Sequence, residues 1–154
     1  MRIQTLTLAA AILAAASFSG PVQAAGPATI RLGHKAPFGG YLTDATGRTL
    51  YIFTADHGGK SSCYEACATA WPPLVTSGKP MAASGVDAAH LGTSARHDGA
   101  RQVTYHGMPL YYFKGDTAGA TAGEEINHFG GEWYVVSPKG VGLEKEGTPA
   151  MESK

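Results

Sequence analysis

Apolar residues fill every position of two short runs, Leu50–Phe53 and Leu110–Phe113, and polar, glycine-containing stretches flank both. Successive side chains of an extended strand point to opposite faces, so Tyr51 and Phe53 share one face while Leu50 and Ile52 share the other. The same alternation sets Tyr111 and Phe113 against Leu110 and Tyr112. Strands apolar on both faces predict two central strands covered on both sides. Tyr41–Asp44 and Arg101–Tyr105 read as the strands before them, making hairpins with Ala45–Arg48 and His106–Pro109 as turns. Glu132–Val136 reads as one more strand. Cys63–Trp71 predicts a short helix stopped by Pro72 and Pro73, and Ser84–Leu91 a further helical turn.

The two apolar runs belong to a repeat. At an offset of 60, Gly47 falls on Gly107, Tyr51 on Tyr111, Phe53 on Phe113, Asp56 on Asp116 and Gly59 on Gly119; two extra residues in the second copy bring Trp71 onto Trp133. Each copy is too small to bury its own aromatic face. The pattern therefore predicts a mainly β fold, with two pseudo-symmetric β-hairpin repeats stacked in one domain and one or two short helices. The expected boundaries are an N-terminal arm over 25–37, a β domain over 38–138 (repeats at about 38–74 and 96–138) and a flexible tail over 139–154.

The stretches Tyr51-Ile52-Phe53-Thr54-Ala55-Asp56 and Tyr111-Tyr112-Phe113-Lys114-Gly115-Asp116 both fit the pattern Yx(F/W/Y)xxD. With SCYEACATAWPPL and GGEWYVVSP around them, residues 40 to 138 resemble the bacterial secreted-repeat family, described as predicted lipoproteins with that motif. The resemblance implies Tyr51, Phe53, Asp56, Trp71 and their mates Tyr111, Phe113, Asp116, Trp133 as motif and structural residues. It implies fold and export and carries no settled molecular activity. Many relatives look like lipoproteins, whereas no cysteine stands near the expected cleavage site of this chain.

That site follows from the N-terminus, where Arg2, the apolar run Leu6–Ala16 and the small-residue ending Val22-Gln23-Ala24 have the order of a secretory signal peptide. The apolar run is too short to span a bilayer, which takes about 20 residues. A periplasmic or secreted mature chain with no transmembrane segment and no lipid anchor is expected. Loss of residues 1–24 leaves eleven Lys and Arg against twelve Asp and Glu, a balance that gives no basic field for nucleic acid. Twenty-one glycines and nine prolines favour turns and short strands.

Candidate chemistry is sparse. Thr54–Ser61 misses the phosphate-binding G-x-x-x-x-G-K-[ST] pattern at its first position, and Asp56 would place a negative charge in the cradle, so nucleotide binding is not expected. Both copies carry D-x-x-G-x-[ST], read as an Asp that accepts backbone N–H groups two residues on and fixes a turn. The rival reading, a pair of corners for a cation such as calcium, has one carboxylate per corner. Cys63 and Cys67 are the chain's cysteines, and an oxidising compartment favours a disulfide between them. In a regular helix their β-carbons would stand too far apart, so the bond demands a distorted turn. The competing reading is copper or zinc held by Cys63, Cys67 and His57, or thiol-redox chemistry on the same pair. No cofactor is expected on the first reading. No nucleophile turn such as G-x-S-x-G supports catalysis. A non-catalytic binding or structural component of the envelope, with an unknown partner or ligand, is the favoured reading.

Overall fold

The computed structural model describes residues 26–145 and 149–150. The signal peptide expected over 1–24, its cleavage site and most of the chain's last residues lie outside them. Among the described residues ten strands alternate with turns: β1 Thr29–Lys35, β2 Gly39–Asp44, β3 Tyr51–Phe53, β4 Met81–Ala82, β5 Leu91–Ala95, β6 Arg101–Tyr105, β7 Met108–Pro109, β8 Ile126–His128, β9 Gly131–Val136 and β10 Gly142–Leu143. A short helix, α1, runs Ala66–Ala70, and a 3₁₀ turn covers Ala88–His90. The fold is mainly β, built on the repeat. Among the described residues no helix is long and apolar enough to cross a membrane.

Each repeat opens with an antiparallel hairpin, β1–β2 in the first and β5–β6 in the second. Residues 29–35, expected as part of an arm, thus form a full strand. Ile30 and Leu32 alternate with Arg31 and Gly33, and Ile30 is fully buried, which gives the strand a core face to hold. The following turns differ by one residue. In the first, Asp44 Oδ1 accepts from Thr46 N, Thr46 Oγ1 and Arg48 N at 2.7 to 3.0 Å, tying three residues together. In the second, His106 and Gly107 have φ of 50° and 79°, the left-handed pair that a two-residue hairpin turn requires.

The closing strands then cross between repeats. β9 of the second repeat pairs with β3 of the first, Tyr51 opposite Val135 and Phe53 opposite Trp133. Residues 70–74 of the first repeat run along 110–114 of the second, with Leu74 N donating to Leu110 O at 2.9 Å and Lys114 N to Ala70 O at 2.9 Å. Their mates are Val136 N to Leu50 O at 3.2 Å and Thr54 N to Glu132 O at 3.0 Å. At the centre Tyr51 and Tyr111 exchange both backbone bonds at 2.9 Å. The repeats therefore interlock rather than simply stack.

The alternation read from the sequence produces two cores. Leu50, Ile52 and Leu110 join Ile30, Leu42, Val103 and Val136 on one side, while Tyr51, Phe53, Tyr111, Trp71, Trp133 and both cysteines fill the other. β10, within the segment expected as a tail, pairs with β9 and buries Leu143.

Candidate functional site

The motif residues meet across the repeat boundary. Tyr51 donates its hydroxyl to Asp116 Oδ2 at 2.5 Å, and Tyr111 donates to Asp56 Oδ2 at 2.7 Å. Each tyrosine thus pairs with the aspartate of the other copy. The second oxygen of each carboxylate accepts a backbone N–H six residues on, from Ser62 at 2.8 Å and from Ala122 at 2.9 Å. The expected bond two residues on is not the one formed: the Gly58-Gly59 and Ala118-Gly119 stretches carry the chain farther before it turns back. Burial pushes the Asp56 carboxyl above its ordinary value against the bonds from Ser62 and Tyr111 and the field of Arg96. Burial first, then the adjacent carboxylates, raise both tyrosine hydroxyls far above the ordinary phenol range.

Between these pairs lies an aromatic stack. The Trp71 and Trp133 rings stack 3.9 Å apart and nearly parallel, at 3°. Phe53 stacks on Trp133 at 4.0 Å, and Phe113 leans on Trp71 at 4.6 Å, each phenylalanine meeting the other repeat's tryptophan. Tyr51 and Tyr111 meet their own repeats' tryptophans edge-on at 5.5 and 5.1 Å. Both tryptophans are fully buried, so they form core and no open aromatic groove.

Around this shared frame the copies diverge. Cys63 and Cys67 form a disulfide with α-carbons 5.2 Å apart. The distortion it needs comes from the backbone: Cys63 precedes the helix, and Glu65 turns the chain with φ of 51° before α1 begins at Ala66. The sulfurs being joined to each other, the thiolate pair of the copper or zinc reading is not formed. His57 lies exposed at the start of the Gly58-Gly59 turn. Among the described residues no group of three or more His, Cys, Asp or Glu is placed to hold a metal ion. Beside the disulfide the Arg96 guanidinium is buried and donates to Cys63 O at 2.8 Å, Ser61 Oγ at 2.9 Å and Gln102 Oε1 at 2.7 Å. Ser61 in turn donates its hydroxyl to the Tyr111 oxygen at 2.7 Å, joining this network to the crossed pair.

The second repeat has a glycine and a glutamate there. Gly123 is required by close approach, since a β-carbon would stand 2.8 Å from Trp71. Glu124 is 4% exposed; its Oε2 accepts from Val135 N at 2.5 Å, and its Oε1 is buried with no hydrogen-bond partner. Burial raises its carboxyl to about 8, the bond from Val135 and the field of Lys145 opposing, Glu125 and Glu144 adding. Sequence reasoning missed Ser61, Arg96, Gln102 and Glu124. Only tertiary approach shows them, because their partners lie on separate segments.

Two shallow grooves occupy equivalent places on this frame. One, of about 420 Å³, lies between β1–β2 (Arg31, Gly33, Tyr41, Asp44) and the second repeat's loop at Ala118 and Gly119. The other, of about 300 Å³, lies between β5–β6 (Thr93, Ser94, Thr104) and the first repeat's loop at Gly58, Gly59 and Lys60. Lys35 bridges one end of the larger through Gly119 O at 3.2 Å.

Comparison with curated proteins and with solved structures gave no match. A family model described as a secreted repeat of unknown function matches residues 35–75 and again 92–137, the two interlocked copies described above, and the chain belongs to that family.

Proposed function

We propose that the chain is an exported, non-catalytic binding module of the periplasm, in which the motif residues are the frame and the two grooves are the working surface. The observation that carries this reading is the contrast between them. The frame is the same in both copies, Tyr, Phe, Asp and Trp in matched contacts, whereas the grooves on it carry different side chains, Arg31, Tyr41 and Asp44 in one, Thr93, Ser94 and Lys60 in the other. Each motif carboxylate is engaged by a tyrosine and a backbone N–H, which suits holding the fold more than moving protons. Export is supported by family membership and by the disulfide.

The test is a ¹⁵N titration of the mature chain with muropeptides, acidic and basic peptides and neutral oligosaccharides, with the mixtures followed by mass spectrometry. Saturable shifts confined to residues of either groove, with every added compound recovered intact, are expected. Turnover of any compound, abolished by Asp56→Asn or Asp116→Asn, would overturn the reading.

A further inference from the structure

The hairpins β1–β2 and β5–β6 correspond strand for strand, Ile30 opposite Asp44 matching Leu91 opposite Tyr105, yet their outer edges are covered differently. β1 carries β4 as a parallel neighbour, with Met81 N donating to Ala28 O at 2.8 Å and Ala83 N to Ile30 O at 2.9 Å. β5 is the edge of its sheet and has only β6 beside it among the described residues. Position along the chain explains the difference. Met81 stands ten residues after Trp71, and Leu143 ten after Trp133. The segment corresponding to β4 is therefore the one around Leu143, but a tight turn, Ser137 N to Val141 O at 2.8 Å, sends it back along β9 as β10. The edge of β5 is left open.

The sequence of β5, Leu-Gly-Thr-Ser-Ala, contains no charge, proline or bulge to blunt that edge. Arg96 N donates to Ala100 O at 2.9 Å and His106 N to His90 O at 2.8 Å, so the even-numbered residues face β6. Thr93 and Ala95 consequently turn their backbone groups outward, as does the Leu91 carbonyl, whereas the Leu91 N–H is taken by Ala88 O in the preceding 3₁₀ turn. Along the same strand runs the smaller groove, whose charged lining residue is Lys60 and which has no acidic lining residue. A second cation stands beside it, Arg101, whose guanidinium donates to Thr93 Oγ1 at 3.0 Å. Free strand edge, groove and two cations together complement an extended chain bearing carboxylates.

We infer that β5 is a peptide-docking edge, which takes an extended acidic segment of another exported protein as a parallel strand, in the place that β4 holds on β1. The assignment rests on the binding-module reading and names its partner class. Backbone bonds to the Leu91 carbonyl and to Thr93 and Ala95 hold the segment, and Lys60 and Arg101 select its carboxylates.

The experiment titrates the ¹⁵N-labelled mature chain with the capped peptide VGLEKEG, the sequence of residues 141–147, which spans the chain position corresponding to β4 and carries two glutamates. Its control has both glutamates replaced by lysine. Shifts are expected at Leu91, Thr93, Ala95 and Gly58–Lys60 with the acidic peptide and not with the control. Thr93→Pro, which removes one outward N–H from an edge strand, and Lys60→Glu, which leaves the backbone unaltered, should each weaken binding about tenfold. Shifts in the larger groove alone would overturn the edge assignment and leave the binding module standing. No shift with either peptide, together with no shift from the wider panel, would overturn both. Dimerisation of the unliganded chain, abolished by Thr93→Pro, would give the edge to a second copy and overturn the partner assignment.

Discussion

The two repeats hold the same frame by different means. Around Asp56 the first repeat gathers Ser62 N, the Ser62 hydroxyl at 2.9 Å and Tyr111, and backs Tyr111 with Ser61 and the buried Arg96. Around Asp116 the second has Tyr51 and Ala122 N, with Gly123 N reaching the Tyr51 hydroxyl at 3.2 Å. One copy closes its loop with a disulfide and a polar network, the other with a glycine under Trp71 and a buried glutamate. The lesson is that the crossed aromatic and Tyr–Asp contacts are what the fold needs from both copies, and the loops between are free to solve local burial separately.

If the frame is common property, breaking it in either copy should cost both. Trp71→Ala and Trp133→Ala are each expected to destabilise the whole domain by about 3 to 5 kcal/mol, in one shared transition seen by calorimetry and by far-ultraviolet circular dichroism. Two separated transitions, or an unchanged midpoint in one variant, would show that the copies fold apart.

The loops should respond singly. Glu124, with its carboxyl raised to about 8 from an ordinary 4.5, stabilises the fold while protonated. That contribution is complete below about pH 4.5 and is lost as pH rises towards 8, because between those values the folded state binds the proton and the unfolded state does not. Glu124→Gln keeps the acceptor for Val135 N and cannot ionise. Urea midpoints of wild type and variant should converge near the acid end and separate by on the order of 3 kcal/mol at alkaline pH, the variant being the more stable. Parallel pH profiles would remove the glutamate from the account. Cys63→Ser with Cys67→Ser is expected to lower stability by about 2 kcal/mol and leave the fold intact, which amide spectra would check.

Much of this frame was legible in the sequence. Period-two alternation in Leu50–Phe53 and Leu110–Phe113 predicted strands with two apolar faces, because a strand's geometry leaves no other place for those side chains. Ile30 and Leu32 carried the same signal for β1, and the stretch nevertheless reads as an arm until its partner β2 is seen. The crossing was less visible, since a repeat shows that Tyr51 and Asp56 recur together without showing which copy's aspartate each tyrosine meets. A hint lay in length: five residues of extended chain span about 16 Å, too far for Tyr51 to bond Asp56 along a strand. Arg96 and Glu124 gave no hint, because a charged residue in a polar stretch looks solvated until tertiary partners enclose it.

A double-mutant cycle tests the crossing most directly. Tyr51→Phe and Asp116→Asn should couple by about 1 to 2 kcal/mol in urea unfolding, and so should Tyr111→Phe and Asp56→Asn. Tyr51→Phe with Asp56→Asn, and Tyr111→Phe with Asp116→Asn, should be additive within about 0.5 kcal/mol. Coupling within a repeat and additivity between repeats would contradict the account.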